Sequence, residues 1–288
     1  MWLTGKNILL IAPKYFDYEK QIKKGLEHFG AHVYLIYENM DKVSPFYKWT
    51  YSRLPQRMPA LMDSFFQKGI KKLPSNMDFV LVIRGQFLSL PVLDYMKKHF
   101  HSGCRYIFYQ WDSVRNNPNA LEIADFFDLR FTFDPIDAKK YNWEYRPLFY
   151  LNHLRSCKND RGNDILYICS LHSERAQILN QLKSFCAENN FSYKAFLYEK
   201  KYIFMKRKYL DHQKEYQAVE NKDMTFKSLS LTDIYNLYGV SKVVLDYTHP
   251  GQTGFTMRTI ESLGNKCKLI TNNQEIKNAD FYDERNIF

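Results

Sequence analysis

The stretch from Val243 to Asn273, VVLDYTHPGQTGFTMRTIESLGNKCKLITNN, constrains the chain more than any other. The apolar run Val243-Val244-Leu245 reads as a buried strand, and the polar loop His249-Pro250-Gly251-Gln252-Thr253-Gly254 follows it. Helical spacing then runs from Phe255 to Leu263, with Gly264 placed as a C-cap, and a second apolar strand covers Cys267 to Thr271. Strand, glycine loop, helix and strand make the βαβ unit of a parallel sheet. Gly251 and Gly254 let the backbone approach a ligand closely and adopt positive φ. The N–H groups at the helix start, with the positive end of the helix dipole, suit a phosphate. Arg258 and Glu261 are three apart and share a helix face, the first suited to a diphosphate and the second, one turn deeper, to a ribose diol. The same residues also read as an ordinary helix start with a capping Thr and a surface Arg–Glu pair, because short glycine loops before helices are common.

The rest of the chain repeats the alternation. Asn7–Ala12, His32–Tyr37, Phe79–Ile83, Tyr106–Tyr109 and Leu129–Phe133 read as strands. Helical patterns lie between and after them at 17–29, 60–73, 91–100, 118–127 and 136–141. A polar stretch from Leu151 to Asn163 reads as a linker, and the pattern restarts with a strand at Ile165–Cys169, a helix at 174–189 and a strand at 191–197. The predicted fold class is therefore α/β, with two Rossmann-like parallel-sheet domains over 1–152 and 153–288. No GxGxxG follows the first strand, so a standard NAD fingerprint is absent. Residues Glu38 to Pro59 are aromatic, basic and proline-containing, and read as a long loop, either functional or packed down by its own aromatics.

In open parallel sheets ligands bind at the carboxyl ends of the strands. Lys14, Arg84, Asp112 and Asp134 fall at those ends. Asp112 and Asp134 are the candidate catalytic carboxylates; both also read as caps of the turns or helices that follow, and Arg84 as the partner of one of them.

With 41 Lys and Arg against 31 Asp and Glu, the net charge is +10, which fits anionic partners: a nucleotide sugar, an acidic glycan, lipid headgroups or nucleic acid. No RNA-binding or zinc-finger signature supports nucleic acid. The 22 Tyr and 22 Phe imply a sizeable core. The five cysteines, 104, 157, 169, 186 and 267, are scattered without a CxxC pair, which favours a reducing compartment and gives no zinc site. No signal peptide or membrane-spanning run is visible, so a cytoplasmic location is expected. The basic stretch Glu199–Tyr216 reads as a solvated helix face or as an amphipathic helix on anionic lipid, with Tyr202, Ile203, Phe204 and Met205 at the acyl boundary.

The segment Gln252–Gly264, followed by Lys268–Asn273, resembles the donor-binding domain of GT-B glycosyltransferases, in particular the bacterial lipopolysaccharide and capsule biosynthesis group that includes CgeB-like proteins. The stretches YQWDSVRNNP, FTFDPIDAKKY and PLFY resemble the N-terminal half of the same group. The resemblance implies two domains facing a cleft. It assigns Thr253 and Gly254 to the nucleotide diphosphate and Glu261 to the ribose, with Gln252 and Arg258 as further candidates for the same nucleotide site. It also turns the loop after the first strand of the second domain, with Ser170, His172, Ser173 and Arg175, toward the donor. His172 on a loop reads more readily as a solvated residue than as a base. GT-B domains usually continue through further helices beyond the point where this sequence stops, so the C-terminal end looks short by that comparison.

The expected activity is transfer of a sugar from a nucleotide-sugar donor to a saccharide or lipid-linked saccharide acceptor. No DxD motif is present. Neither cofactor nor metal is expected, the leaving diphosphate being neutralised by the helix dipole, backbone N–H groups and Arg258. Asp112 is the first choice of base for the acceptor hydroxyl. The alternative is a non-catalytic GT-B-like scaffold that binds nucleotide or glycan.

Overall fold

A computed structural model describes residues 2–39, 58–156, 160–172, 174–249 and 251–288. The chain divides into two compact units, Met1–Pro147 and Leu148–Phe288, so the expected boundary after Asn152 falls a few residues inside the second unit. Most of the loop expected at 38–59 lies outside the described residues, as do Ser173, Pro250 and Cys157.

The first unit is a six-stranded, wholly parallel sheet in the order β2-β1-β3-β4-β5-β6. Its strands are β1 (Asn7–Ala12), β2 (His32–Tyr37), β3 (Phe79–Ile83), β4 (Arg105–Gln110), β5 (Leu129–Thr132) and β6 (Glu144–Tyr145). The helices are α1 (Tyr18–His28), α2 (Met58–Ile70), α3 (Leu90–His99), α4 (Asn119–Ile123) and α5 (Pro135–Tyr141). Side chains alternate across a strand, and here both faces are apolar. Leu9 and Ile11 join Val80, Val82 and Phe108 in one cluster, which α2 covers through Met62, Phe66 and Ile70. Ile8, Leu10 and Ala12 join Val33 and Ile83 in the opposite cluster, against Ile22 and Leu26 of α1. Local chemistry fixes the ends: Gly30, at φ 98, stops α1, and Ser89 caps α3 ahead of Pro91.

The second unit is a five-stranded parallel sheet in the order β11-β10-β7-β8-β9. Its strands are β7 (Asn163–Ser170), β8 (Tyr193–Tyr198), β9 (Met224–Thr225), β10 (Ser241–Asp246) and β11 (Lys268–Thr271). The principal helices are α6 (Arg175–Asn189), α9 (Leu231–Gly239) and α10 (Met257–Gly264), with the short α7 (Lys201–Met205) and α8 (Lys214–Gln217) between β8 and β9. Ile165, Tyr167 and Cys169 pack with Leu179, Leu182, Phe204 and Tyr216. The last residues pair in parallel with β11, where Leu269 N–H donates to Asn286 O at 2.8 Å and Phe288 N–H to Leu269 O at 2.9 Å.

Three expectations are corrected. The basic stretch 199–216 is not one amphipathic helix: α7 runs into a π-helical turn at Lys206–Leu210, the chain turns at His212 (φ 48), and α8 follows. Phe204 is fully buried in the core, so it does not lie at an outer apolar boundary. Gly264 is the last residue of α10 rather than its left-handed cap. Asn265 is the C-cap, and a Cβ on Gly264 would stand 2.5 Å from the Tyr150 ring, so this glycine is required by packing. The left-handed residue beyond the helix is Lys266, at φ 57. Four cysteines, 104, 169, 186 and 267, are buried thiols. Among the described residues no helix is long and apolar enough to cross a membrane.

Candidate functional site

In the second unit β7 and β10 are neighbours whose connections leave in opposite directions, to β8 on one side and β11 on the other. Loops leaving the carboxyl ends of such a pair diverge and open a crevice. Here they are Leu171–Glu174 and Tyr247–Thr256.

Asp246 ends β10 as a buried carboxylate and ties down the start of α10. Its Oδ2 accepts hydrogen bonds from Thr256 Oγ1 at 2.6 Å and Thr259 Oγ1 at 2.7 Å. Thr256 is the N-cap, and its Oγ1 accepts from Thr259 N–H at 3.1 Å. The helix therefore starts at Met257, two residues later than its periodicity suggests, because Asp246 holds the threonine pair. Of the two loop glycines only Gly251, at φ 84, adopts the left-handed region; Gly254 is buried with an ordinary φ. The Gly254 carbonyl accepts from Gln252 Nε2 at 2.9 Å, and the Thr253 carbonyl accepts from Asn273 Nδ2 at 3.1 Å. The loop is thus braced by its own Gln and by the residue beyond β11. Asn272 braces its other end, accepting from Thr248 N–H at 2.7 Å and donating to Thr248 O at 3.1 Å.

Two arginines converge electrostatically on this edge. Arg175, the first residue of α6, donates to Ser170 O at 3.2 Å, Tyr247 O at 3.3 Å and His172 Nε2 at 2.7 Å, all neutral acceptors. These contacts bridge the loops after β7 and β10. Arg258 sits in the first turn of α10, within electrostatic reach of Tyr238, Asp246, Cys169 and Glu261. Burial works against its charge, but those neighbours outweigh it and hold the guanidinium firmly protonated. Among the described residues its Nε is buried without a hydrogen-bond partner, as is Thr248 Oγ1 in the loop before the helix. A shielded donor without an acceptor costs about 1–3 kcal/mol, and more when it is charged.

Burial, then the nearby charges of Arg175 and His249, push His172 down to about 4, so it is neutral at pH 7 and accepts from Arg175. Its ring lies 6.2 Å from that of His249. Glu261 is brought to the same helix as Arg258 but points into the interior, where its buried carboxylate accepts from Tyr238 OH at 3.2 Å.

In the first unit a second polar cluster lies at the carboxyl ends of β2, β3 and β4. Glu38, fully buried, accepts from Arg84 Nε at 2.5 Å and from Gln86 N–H at 3.0 Å. Burial, offset in part by Arg84, pushes Glu38 up to about 7. Arg84 Nη1 lies 3.9 Å from Asp112 Oδ2. Arg84 holds φ 71, a conformation costing a non-glycine residue on the order of 1–2 kcal/mol. Asn117 Nδ2, donating to Arg84 O at 2.8 Å, locks it there. Asp112 is positioned by Gln110, whose Oε1 accepts its N–H at 3.2 Å; the carboxylate is 43% exposed, and burial of its surroundings raises its pKa against the pull of Arg84. Asp134 is buried and caps α5, accepting from Ile136 N–H at 3.0 Å and Asp137 N–H at 3.1 Å. Its oxygen is engaged by the backbone, as the capping alternative anticipated. Lys14 N–H donates to Asn39 Oδ1 at 2.7 Å beside this cluster.

Sequence reading missed Asp246, Tyr238, Asn272, Asn273 and Glu38. Asp246 and Glu38 carried a usable signal, a single carboxylate directly after an apolar strand. Tyr238 carried none, being one more aromatic in a tyrosine-rich helix.

No family model and no curated protein matches the chain. Solved structures do. An α-glucosyltransferase in complex with UDP and a 13-mer DNA containing a central A:G mismatch is 10% identical, with 98% of this chain and 81% of that one covered and a TM-score of 0.59. The sucrose-phosphate synthase of Thermosynechococcus elongatus is 10% identical, with 92% and 81% covered and a TM-score of 0.59. Anabaena HepE in complex with UDP and glucose is 12% identical, with 95% and 83% covered and a TM-score of 0.55. Two parallel-sheet, Rossmann-like units in one chain give this protein the α/β fold of the GT-B glycosyltransferases.

Proposed function

We propose that the chain is a nucleotide-sugar-dependent glycosyltransferase whose donor diphosphate binds at the carboxyl ends of β7 and β10. The observation that carries this is the pair Arg175 and Arg258. Among the described residues the first is satisfied by neutral acceptors, and the second has a shielded Nε with no partner, so an anion placed there gains charge-assisted hydrogen bonds. Gln252, Thr253 and Gly254 would lie against the diphosphate, with the first N–H groups of α10 adding to the positive field. His172, neutral, would orient Arg175. Glu261 is proposed for the ribose as the family resemblance implies, which requires it to exchange its Tyr238 hydrogen bond for a sugar hydroxyl. The UDP named in two of the similar structures supports a nucleotide donor.

Asp112 is proposed as the base that takes the proton of the acceptor hydroxyl. Its exposed carboxylate and upward-shifted pKa suit that task better than Asp134, whose side chain is spent on a helix cap. The leaving diphosphate is stabilised by fixed charges and dipoles, without a metal. The acceptor is proposed to be a saccharide or lipid-linked saccharide in cell-surface polysaccharide assembly, on the strength of the sequence resemblance.

The test is nucleotide release from a panel of UDP-, GDP-, dTDP- and CMP-sugars with saccharide acceptors, in EDTA. Turnover in EDTA is expected. Turnover that vanishes in EDTA and returns with a divalent cation would overturn the metal-free mechanism. Asp112→Asn is expected to lose turnover by about 10²-fold or more while keeping its nucleotide affinity. Near-normal turnover would exclude Asp112 as the base.

A further inference from the structure

The basic stretch after β8 is left unexplained by a donor site, and the fold sorts its residues by side. Residues 199–216 hold six Lys or Arg against three acidic residues. On the inner side, Phe204 is fully buried against Tyr216, their rings 6.0 Å apart. Arg207 donates to Tyr216 OH, and Lys208 to the Val219 carbonyl. Glu199 is turned to the same side, accepting from Tyr216 OH at 3.1 Å. One of the three acids and two of the six bases are thereby consumed by the fold.

The outer side is different. Tyr202, Met205, Tyr209 and Leu210 are 61%, 42%, 46% and 74% exposed. Their positions are i, i+3, i+7 and i+8, the spacing of one continuous helical face, carried here across α7 and the π turn. Lys200, Lys201, Lys206 and Lys214 are exposed along the same segment, with Asp211 the acid nearest to Lys206, at 3.9 Å. An apolar stripe bordered by lysines, on a segment pinned from beneath, is held outward by the fold, which among the described residues ties down only the hydroxyl of Tyr209, through Asn221 Nδ2 at 2.8 Å.

We infer that this face of the second unit docks on an anionic lipid surface, with Tyr202, Met205, Tyr209 and Leu210 entering the headgroup boundary and Lys200, Lys201 and Lys206 set against the lipid charges. Charge selects this occupant. A protein partner covering the stripe would need its own acidic rim of matching shape, whereas a bilayer containing anionic lipid offers a negative plane with an apolar layer beneath it. Tyrosine suits that boundary, with its ring in the apolar layer and its hydroxyl in water. The inference does not rest on the proposed transferase activity.

The experiment is co-sedimentation of the full chain with phosphatidylcholine vesicles, with and without phosphatidylglycerol, at two salt concentrations. Wild type is expected to bind the anionic vesicles at least about tenfold more tightly than the neutral ones, and less tightly at the higher salt. Lys200→Gln/Lys201→Gln/Lys206→Gln and Tyr202→Ser/Leu210→Ser are each expected to lose about tenfold in that binding. The control Lys71→Gln/Lys72→Gln, on the first unit, is expected to bind as wild type does. Thermal melting of each variant verifies folding, and all these positions are exposed. Equal binding to both vesicle types would overturn the inference, as would both stripe variants binding like wild type. Sedimentation velocity covers a second copy as the occupant: a wild-type dimer made monomeric by Tyr202→Ser/Leu210→Ser, without vesicle binding, would also overturn it.

Discussion

At the scale of single residues, the chain holds ionisable groups where burial opposes their charge, and their neighbours decide which of them keep it. Arg258 keeps its charge because Tyr238, Asp246, Cys169 and Glu261 surround it, yet its Nε has no acceptor. Glu38 is the converse case, a carboxylate whose burial outweighs its arginine and holds it near 7 rather than 4.5. Its folded-state pKa is raised, so the folded protein retains a proton that the unfolded chain releases. The group favours folding most below pH 4.5, and the contribution falls as pH rises toward 7. The loss is on the order of 3 kcal/mol at most. Glu38→Gln should flatten the dependence of melting temperature on pH between those limits. A variant that loses stability over that range as steeply as wild type would contradict this account. Arg84 and Asn117 explain why the site's charges were only partly readable from sequence. Arg84 was visible as a strand-end cation, but its left-handed backbone and its bond to Glu38 depend on residues 33 and 46 positions away.

At the scale of elements, α10 shows what periodicity conveys and what it does not. Its existence, and the strands around it, follow from apolar spacing; its first residue follows from Asp246 gripping Thr256 and Thr259. Thr256→Ala removes the cap and one of these hydrogen bonds and should cost about 1–2 kcal/mol in urea denaturation. Thr256→Ser should restore most of it, and a Ser variant as unstable as the Ala variant would argue against capping. At the other end Gly264 meets the ring of Tyr150, 114 positions earlier, a contact invisible to any local reading. Gly264→Ala should lose about 1–3 kcal/mol through the forced shift of that ring. The loss should shrink when Tyr150 is also changed to Ala, and full additivity in the double variant would contradict the packing explanation. The edge strands β6 and β9, two residues each, are too short to show a period of two. They are defined by pairing with β5 and β8. The basic stretch 199–216 carried a helical pattern without showing that the chain would divide it at His212, because that break follows from Phe204 and Tyr216 packing inward together.

At the scale of the whole molecule, the alternation of strands and helices was legible almost throughout, because the central strands of both sheets carry apolar runs, and those of the first are buried on both faces. The strand orders were not, since they depend on which strands pair across the chain. They decide where a ligand goes, and in the second unit they place Arg175, Arg258 and the 247–256 loop around the point where β7 and β10 diverge. The net charge of +10 favours an anionic ligand there without choosing it. The most direct test is a thermal-shift titration of the full chain with UDP, GDP, CMP, dTDP and ADP, beside Arg258→Gln and Arg175→Gln. One nucleotide should raise the melting temperature, by about 2.7 kcal/mol of added stability at a hundredfold excess over its Kd, and both variants should lose most of that shift. No shift with any nucleotide, or a shift that both variants retain in full, would contradict a diphosphate site built on these two arginines.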